Sequence, residues 1–204
     1  MIKKELINSL KFKGFEEHIV DAFSKVKREN FIPSKLRKYA YNDEALPIGE
    51  GQTTSQPYTI ATMLSMLDLK EGQKILEIGS GSGYVLALIS EIVGKKGKVF
   101  GVEKNRELAR KSKLNLKGYK AKVYFKNGYN GLKEYSTYDR VIISAACNEI
   151  PKPLIKQLKK DAIVLAPIGN KFQQSLTIYK KIDNQLVFQE EIPGFQFVPF
   201  LEKD

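Results

Sequence analysis

The sequence predicts an α/β protein: a doubly wound, mostly parallel sheet with helices on both faces, an N-terminal helical extension and antiparallel strands towards the C-terminus. Three observations carry this. Residues 74–84 read KILEIGSGSGY, and the short run Ile75, Leu76, Glu77, Ile78 is mostly apolar, as a strand buried on both faces is. Gly79, Gly81 and Gly83 follow as a turn, after which Val85, Leu86, Leu88, Ile89, Ile92 and Val93 return at helical spacing. Strand and helix patterns then alternate to Pro167, and beyond Gly169 residues 175–180 and 186–190 alternate as antiparallel strands do.

The elements follow in order. Residues 1–41 read as a helical flank, in which Leu6, Ile7 and Leu10 share one face. Ile19, Val20, Phe23 and Val26 form a second amphipathic stripe, with His18 near the surface in a structural role. Pro33 suits the start of a third short helix through Leu36 and Tyr39. Having no core of its own, this region is expected to pack on the sheet. Residues 42–57, NDEALPIGEGQTTSQP, show no usable periodicity. Loops of that length inside a compact domain tend to bind or gate something, a packed surface loop being the plainer alternative. A helix over 57–67 turns Ile60, Met63, Leu64 and Leu67 inward, and the helix after the glycine turn ends at Gly94. Residues 98–102 form a strand closed by Glu103, 105–116 a helix, and 121–125 and 139–144 strands. Residues 151–158 read as a helix and 162–167 as the next strand.

Composition narrows the class. A chain of 204 residues is one domain by length and can bury a substantial core. No apolar run is long enough to span a bilayer, and the N-terminus lacks a signal-peptide core, so a cytoplasmic protein without a membrane partner is expected. One His and one Cys, Cys147, give neither an internal disulfide nor a metal cluster, so no metal is expected. The net charge of +11 raises nucleic acid as a partner. The basic residues are scattered over predicted helix faces and turns, however, which reads as solvated surface rather than a specific nucleic-acid site. A monomer is expected.

The glycine spacing discriminates between ligands. In a dinucleotide fingerprint a third glycine comes three positions after the second, and here that position is Tyr84. The G-x-G-x-G run with Glu77 just ahead instead resembles motif I of the S-adenosylmethionine-dependent methyltransferases, which implies a Rossmann-like methyltransferase sheet. Glu103, about 20 residues past the turn at the end of the second strand, is placed to accept both ribose hydroxyls. A second stretch is more specific. AYNDEALPIGEGQTTSQP, at residues 40–57, resembles the signature of the protein-L-isoaspartate O-methyltransferases. The resemblance continues through EIGSGSGY, Val102-Glu103, Asn127-Gly128, the SAA at 144–146 and the FVP at 197–199, in order over the whole chain. One departure stands at Asn127, where the family has the Asp of GDG; an amide oxygen can still accept from the adenine amino group, or the pair is an ordinary Asn-Gly turn.

The resemblance implies methyl transfer from S-adenosylmethionine to the α-carboxylate of L-isoaspartyl residues in damaged proteins and peptides, leaving S-adenosylhomocysteine. The ester then collapses to a succinimide that hydrolyses partly to aspartate. It also implies the site. Ser55 matches the active-site serine and is expected to orient the acceptor carboxylate. Gln52, Thr53, Thr54, Glu77, Gly79, Ser80, Gly81, Ser82, Gly83, Glu103, Lys104, Asn127 and Gly128 are expected at the cofactor. Ile48, Gly49, Ala145, Phe197, Val198 and Pro199 are expected, with Ser55, at the substrate. The chemistry agrees with the composition, because an ionised carboxylate attacking a sulfonium methyl needs alignment and exclusion of water rather than a general base. Cys147 is expected to be a small buried filler. Three other readings share parts of this pattern: the same fold acting on another acceptor, a non-catalytic cofactor- or peptide-binding module, and a nicotinamide-dependent oxidoreductase, which Tyr84 disfavours.

Overall fold

The computed structural model describes residues 1–170 and 172–200. Helices α1 (Lys3–Phe12) and α2 (Glu17–Lys25) lead into two 3-10 turns, Arg28–Phe31 and Ser34–Tyr39. The hairpin β1 (Leu46–Gly49) and β2 (Gln52–Thr54) follows, then α3 (Pro57–Met66), which Pro57 opens from its first turn. Next come β3 (Lys74–Ile78), α4 (Tyr84–Val93), β4 (Lys98–Glu103), α5 (Arg106–Asn115) and β5 (Ala121–Phe125). After two more 3-10 turns the chain continues as β6 (Tyr138–Ile143), α6 (Lys152–Ile155), β7 (Leu158–Gly169), β8 (Gln174–Ile182) and β9 (Gln185–Phe195).

The large sheet is seven-stranded, in the order β5-β4-β3-β6-β7-β8-β9. The strands from β5 to β7 pair in parallel, and β8 and β9 complete it antiparallel. Side chains alternate across it at the strand period. Ile75, Val99, Ile142 and Leu165 join one core, while Leu76, Phe100, Val141 and Val164 join the other. Both faces are therefore covered, which is why these strands read as apolar runs. The order reverses between β3 and β6, so the carboxyl ends of the central strands open a crevice there, where doubly wound sheets bind ligands.

Three expectations are corrected. The N-terminal flank rests on the helix layer: α2 packs on α3 and α4, with Ile19, Val20 and Phe23 fully buried there. A helix with a narrow apolar stripe needs only another apolar surface, and α4, buried on nearly every side, supplies it. The stretch 42–57 contains the hairpin β1–β2, whose strands of four and three residues are too short for a periodic signal. Its turn is Glu50-Gly51, both at positive φ (56° and 68°), the combination a two-residue hairpin loop uses. Helix 151–158 shrinks to four residues, because Leu158 already begins the long strand β7 and pairs with Tyr138.

Candidate active site

The glycine turn is built by backbone before any ligand enters. Gly79 and Ser80 both donate their N–H to the carbonyl of Val102, at 2.9 and 3.2 Å, which folds the turn over the end of β4. Gly83 caps α4 in the left-handed region, at φ 87°. A side chain there would be strained by that angle and would meet Ser112 Oγ at 2.5 Å. Gly128 answers a different need, since a Cβ would fall 2.2 Å from Ile78 Cγ2 on the central strand. The backbone after β5 can thus lie against the end of β3.

Glu103 closes β4 and is almost wholly buried. One carboxylate oxygen accepts from Gly81 N–H and the other from Asn105 N–H, each at 2.8 Å. A carboxylate offers about four lone-pair sites. Two remain for a ligand in the cleft that Glu103 lines. Glu77 is withdrawn from this cleft and lines a smaller cavity beside it. Ser144 donates its hydroxyl to Glu77 Oε1 at 2.7 Å, while Glu77 Oε2 and the Ser80 hydroxyl are buried without a partner among the described residues. Burial pushes the Glu77 carboxyl up to about 8 against the opposing Ser144 hydrogen bond, and the neighbouring charge of Glu103 adds to the rise.

The cleft has a volume of about 410 Å³. It gathers Ile48, Gln52, Thr53, Gly79, Gly81, Glu103, Lys104, Asn127, Gly128, Ala145, Val198 and Pro199, all expected site residues. The adjoining cavity of about 40 Å³ takes Thr54, Ser55, Glu77, Ser80 and Ser82, and shares Ile48, Thr53, Gly79, Gly81 and Ser144 with the first. Gly49 and Gly83 line neither: Gly49 ends β1, and Gly83 is spent on capping α4. Phe197 lines a third cavity with Cys147, Gln174 and Phe200, and its N–H is held by Gln174 Oε1 at 2.7 Å. Asn127 Oδ1 accepts from Tyr129 N–H at 2.9 Å, so the amide makes the Asn-Gly turn while also lining the cleft. Val198 and Pro199 arrive because the tail pairs with Ala146: Ala146 N–H reaches the carbonyl of Val198 at 2.8 Å, and Phe200 N–H that of Ala146 at 2.7 Å. Cys147 is buried.

Sequence reasoning missed Glu50 and Asn105, which also line the cleft, and the Ser144 contact to Glu77. It also missed Arg28, which is completely buried and reaches the flap at the carbonyl of Ser55. Among the described residues no three His, Cys, Asp or Glu side chains stand together as metal ligands, and no helix is long and apolar enough to cross a membrane.

Comparison with known proteins gives a consistent result. A family model described as protein-L-isoaspartate(D-aspartate) O-methyltransferase matches residues 1–204. A protein-L-isoaspartate O-methyltransferase of Dictyoglomus turgidum is 43% identical over 203 residues, covering 97% of this chain and 90% of that protein. One from Methanothrix thermoacetophila is 39% identical over 206 residues, covering 100% and 96%. A solved protein-L-isoaspartate O-methyltransferase superposes with a TM-score of 0.87 at 31% identity, over 97% of this chain and 65% of that one. A Plasmodium falciparum structure, in complex with S-adenosyl-L-homocysteine, shares the fold with a TM-score of 0.86 at 24% identity, over 98% of both chains.

Proposed function

The chain belongs to the protein-L-isoaspartate(D-aspartate) O-methyltransferase family, and from that premise we propose how its own residues divide the work. The protein moves a methyl group from S-adenosylmethionine to the α-carboxylate of L-isoaspartyl residues in damaged proteins and peptides. The donor set fits that cofactor. A bare glycine backbone, a carboxylate with lone pairs to spare and two unpartnered buried oxygens at Glu77 and Ser80 suit a ligand with a ribose at one end and an ammonium at the other. A cleft of about 410 Å³ is of small-molecule size.

S-adenosylmethionine, when bound, supplies a methyl group already activated by a positive sulfonium. Glu103 accepts from the ribose hydroxyls, and Lys104, Asn127 and Gly128 border the adenine. Gly79, Gly81, Ser80 and Ser82 border the methionine end, where an ammonium beside Glu77 would favour its ionised form. Gln52, Thr53 and Thr54 close over the cofactor from the flap. Ser55 donates its hydroxyl to the acceptor carboxylate and turns one oxygen towards the methyl. Ile48, Ala145, Val198 and Pro199 line the substrate path; Gly49 acts from the end of β1, and Phe197 from the adjoining cavity that Pro199 shares. No residue needs to take a proton, since the acceptor is ionised at neutral pH. We further infer that the protein has no specific nucleic-acid partner, because its lysines and arginines are scattered, and place it in the cytoplasm as a monomer without a membrane partner, as its single cysteine and lack of a membrane-length apolar run suggest.

The observation that carries the site assignment is the place of Ser55, half-buried and lining the cavity next to the cleft beside Thr53, Gly79 and Gly81, which line both. The test is turnover of an isoaspartyl peptide with methyl-labelled cofactor, read as base-labile ester. Ser55→Ala should lower kcat/KM about 10- to 100-fold, the worth of one hydrogen bond to a charged group, and leave S-adenosylhomocysteine affinity unchanged by calorimetry. An unaltered kcat/KM removes Ser55 from the mechanism.

A further inference from the structure

Arg28 is completely buried and forms no ion pair within 4 Å among the described residues, though the charges of Asp43 and Glu44 act on it. Its terminal nitrogens donate to four main-chain carbonyls: Ala40 at 2.8 Å, Asn42 at 3.2 Å, Glu44 at 3.1 Å and Ser55 at 2.9 Å. Its guanidinium carbon lies 5.8 Å from the centre of the Tyr84 ring, on the first residue of α4, where the glycine turn ends. A buried cation is costly unless its hydrogen bonds are made, and truncating it would leave several carbonyls unpaired as well. The arrangement therefore constrains geometry, and the geometry in question is that of Ser55.

Ser55 is the joint between β2 and α3. On one side Thr54 pairs with Leu46 across the hairpin. On the other, Asp43 accepts from Tyr58 N–H at 2.8 Å and ties the segment ahead of the hairpin to the start of α3. Arg28 grips both that segment and the carbonyl of Ser55 itself. We propose that Arg28 is a positioning residue for methyl transfer: it holds the Ser55 backbone so that the hydroxyl meets the acceptor carboxylate, and links that placement to the helix carrying the cofactor turn. This rests on Ser55 touching the acceptor, as argued above. Lysine cannot replace it, because one ammonium cannot span four carbonyls that a planar fork reaches.

The test is a double-mutant cycle on the full chain with an isoaspartyl peptide. Arg28→Lys should lower kcat about tenfold or more, with peptide KM and S-adenosylhomocysteine affinity changed less than about threefold; in a Ser55→Ala background the same substitution should add less than about twofold. Equal losses in both backgrounds, or cofactor-product affinity falling in step with Tm, would give Arg28 a role in the fold alone. If Ser55→Ala itself has no effect, the reading of Ser55 falls and this one with it; if Ser55→Ala behaves as expected and Arg28→Lys is neutral, only the Arg28 assignment falls. Should Arg28→Lys prove insoluble, Arg28→Ala supplied with methylguanidinium decides: saturable recovery of kcat in the Ser55 enzyme alone supports positioning, and failure to fold or recover overturns it.

Discussion

The two walls of the cleft are held in opposite ways. The glycine turn is fixed against the end of β4, its N–H groups donating to the Val102 carbonyl and the Glu103 carboxylate, and by a left-handed Gly83 at the helix cap. The flap opposite has only a short hairpin of its own, and its joint at Ser55 is set by a side chain 27 residues upstream. The first wall is stiff because its partners lie on β4, the strand paired directly with β3 in the sheet. The second is adjustable because its geometry is borrowed, which suits a surface that must accept many damaged peptides against one invariant cofactor.

Substitutions can break this contrast in order of size. Gly83→Ala should be the most damaging, combining left-handed strain with a Cβ 2.5 Å from Ser112 Oγ. A loss of about 2–5 kcal/mol is expected in denaturant unfolding, together with weakened S-adenosylhomocysteine binding, since a stiff wall cannot yield. A loss under about 1 kcal/mol would show the turn to be softer than its hydrogen bonds imply.

Glu77 tests the same wall through pH. Its carboxyl stands at about 8, above its ordinary value of 4.5, because of burial and then Glu103. Between those two values the folded state holds a proton that the unfolded chain has released, so this group's stabilising contribution, fully present below about 4.5, is lost as pH rises towards and through 8. Glu77→Gln should remove that slope, worth on the order of 3 kcal/mol, from the ligand-free protein's unfolding free energy measured at pH 5 to 8. An unchanged slope would mean that Glu77 is ionised in the fold.

The flap should respond least. Glu50 holds a left-handed φ of 56° at the hairpin turn, beside Gly51. Glu50→Asn supplies the residue such turns favour and should raise stability by about 0.5–1 kcal/mol in thermal or denaturant unfolding. A destabilised Glu50→Asn would show that the turn is governed by contacts within the cleft.

Much of this was legible in the residues. The buried strand, glycine turn and helix at 74–93 declare themselves because burial on both faces and helical periodicity are local patterns, and Glu103 is recognisable because a strand's end places its last side chain at the sheet's ligand edge. The family signature likewise singles out residues 48–55, of which all but Gly49 and Gly51 line the cleft or the cavity beside it. The hairpin inside that signature was not legible, because strands of three and four residues fall below any periodic signal. Residue types alone also left open which polar groups would face the cleft and which would turn aside.

What the sequence determined by itself is the order of the strands and helices of the main sheet, the core-facing side of the longer helices and the chemistry available at the sheet's carboxyl edge, since these follow from spacing and residue type. Tertiary structure alone decided that Glu77 turns to Ser144, that Phe197 is held by Gln174 and that Arg28 reaches Ser55. Those are matters of which distant groups meet once the chain is packed, and a buried polar atom takes the partner that the fold brings within reach.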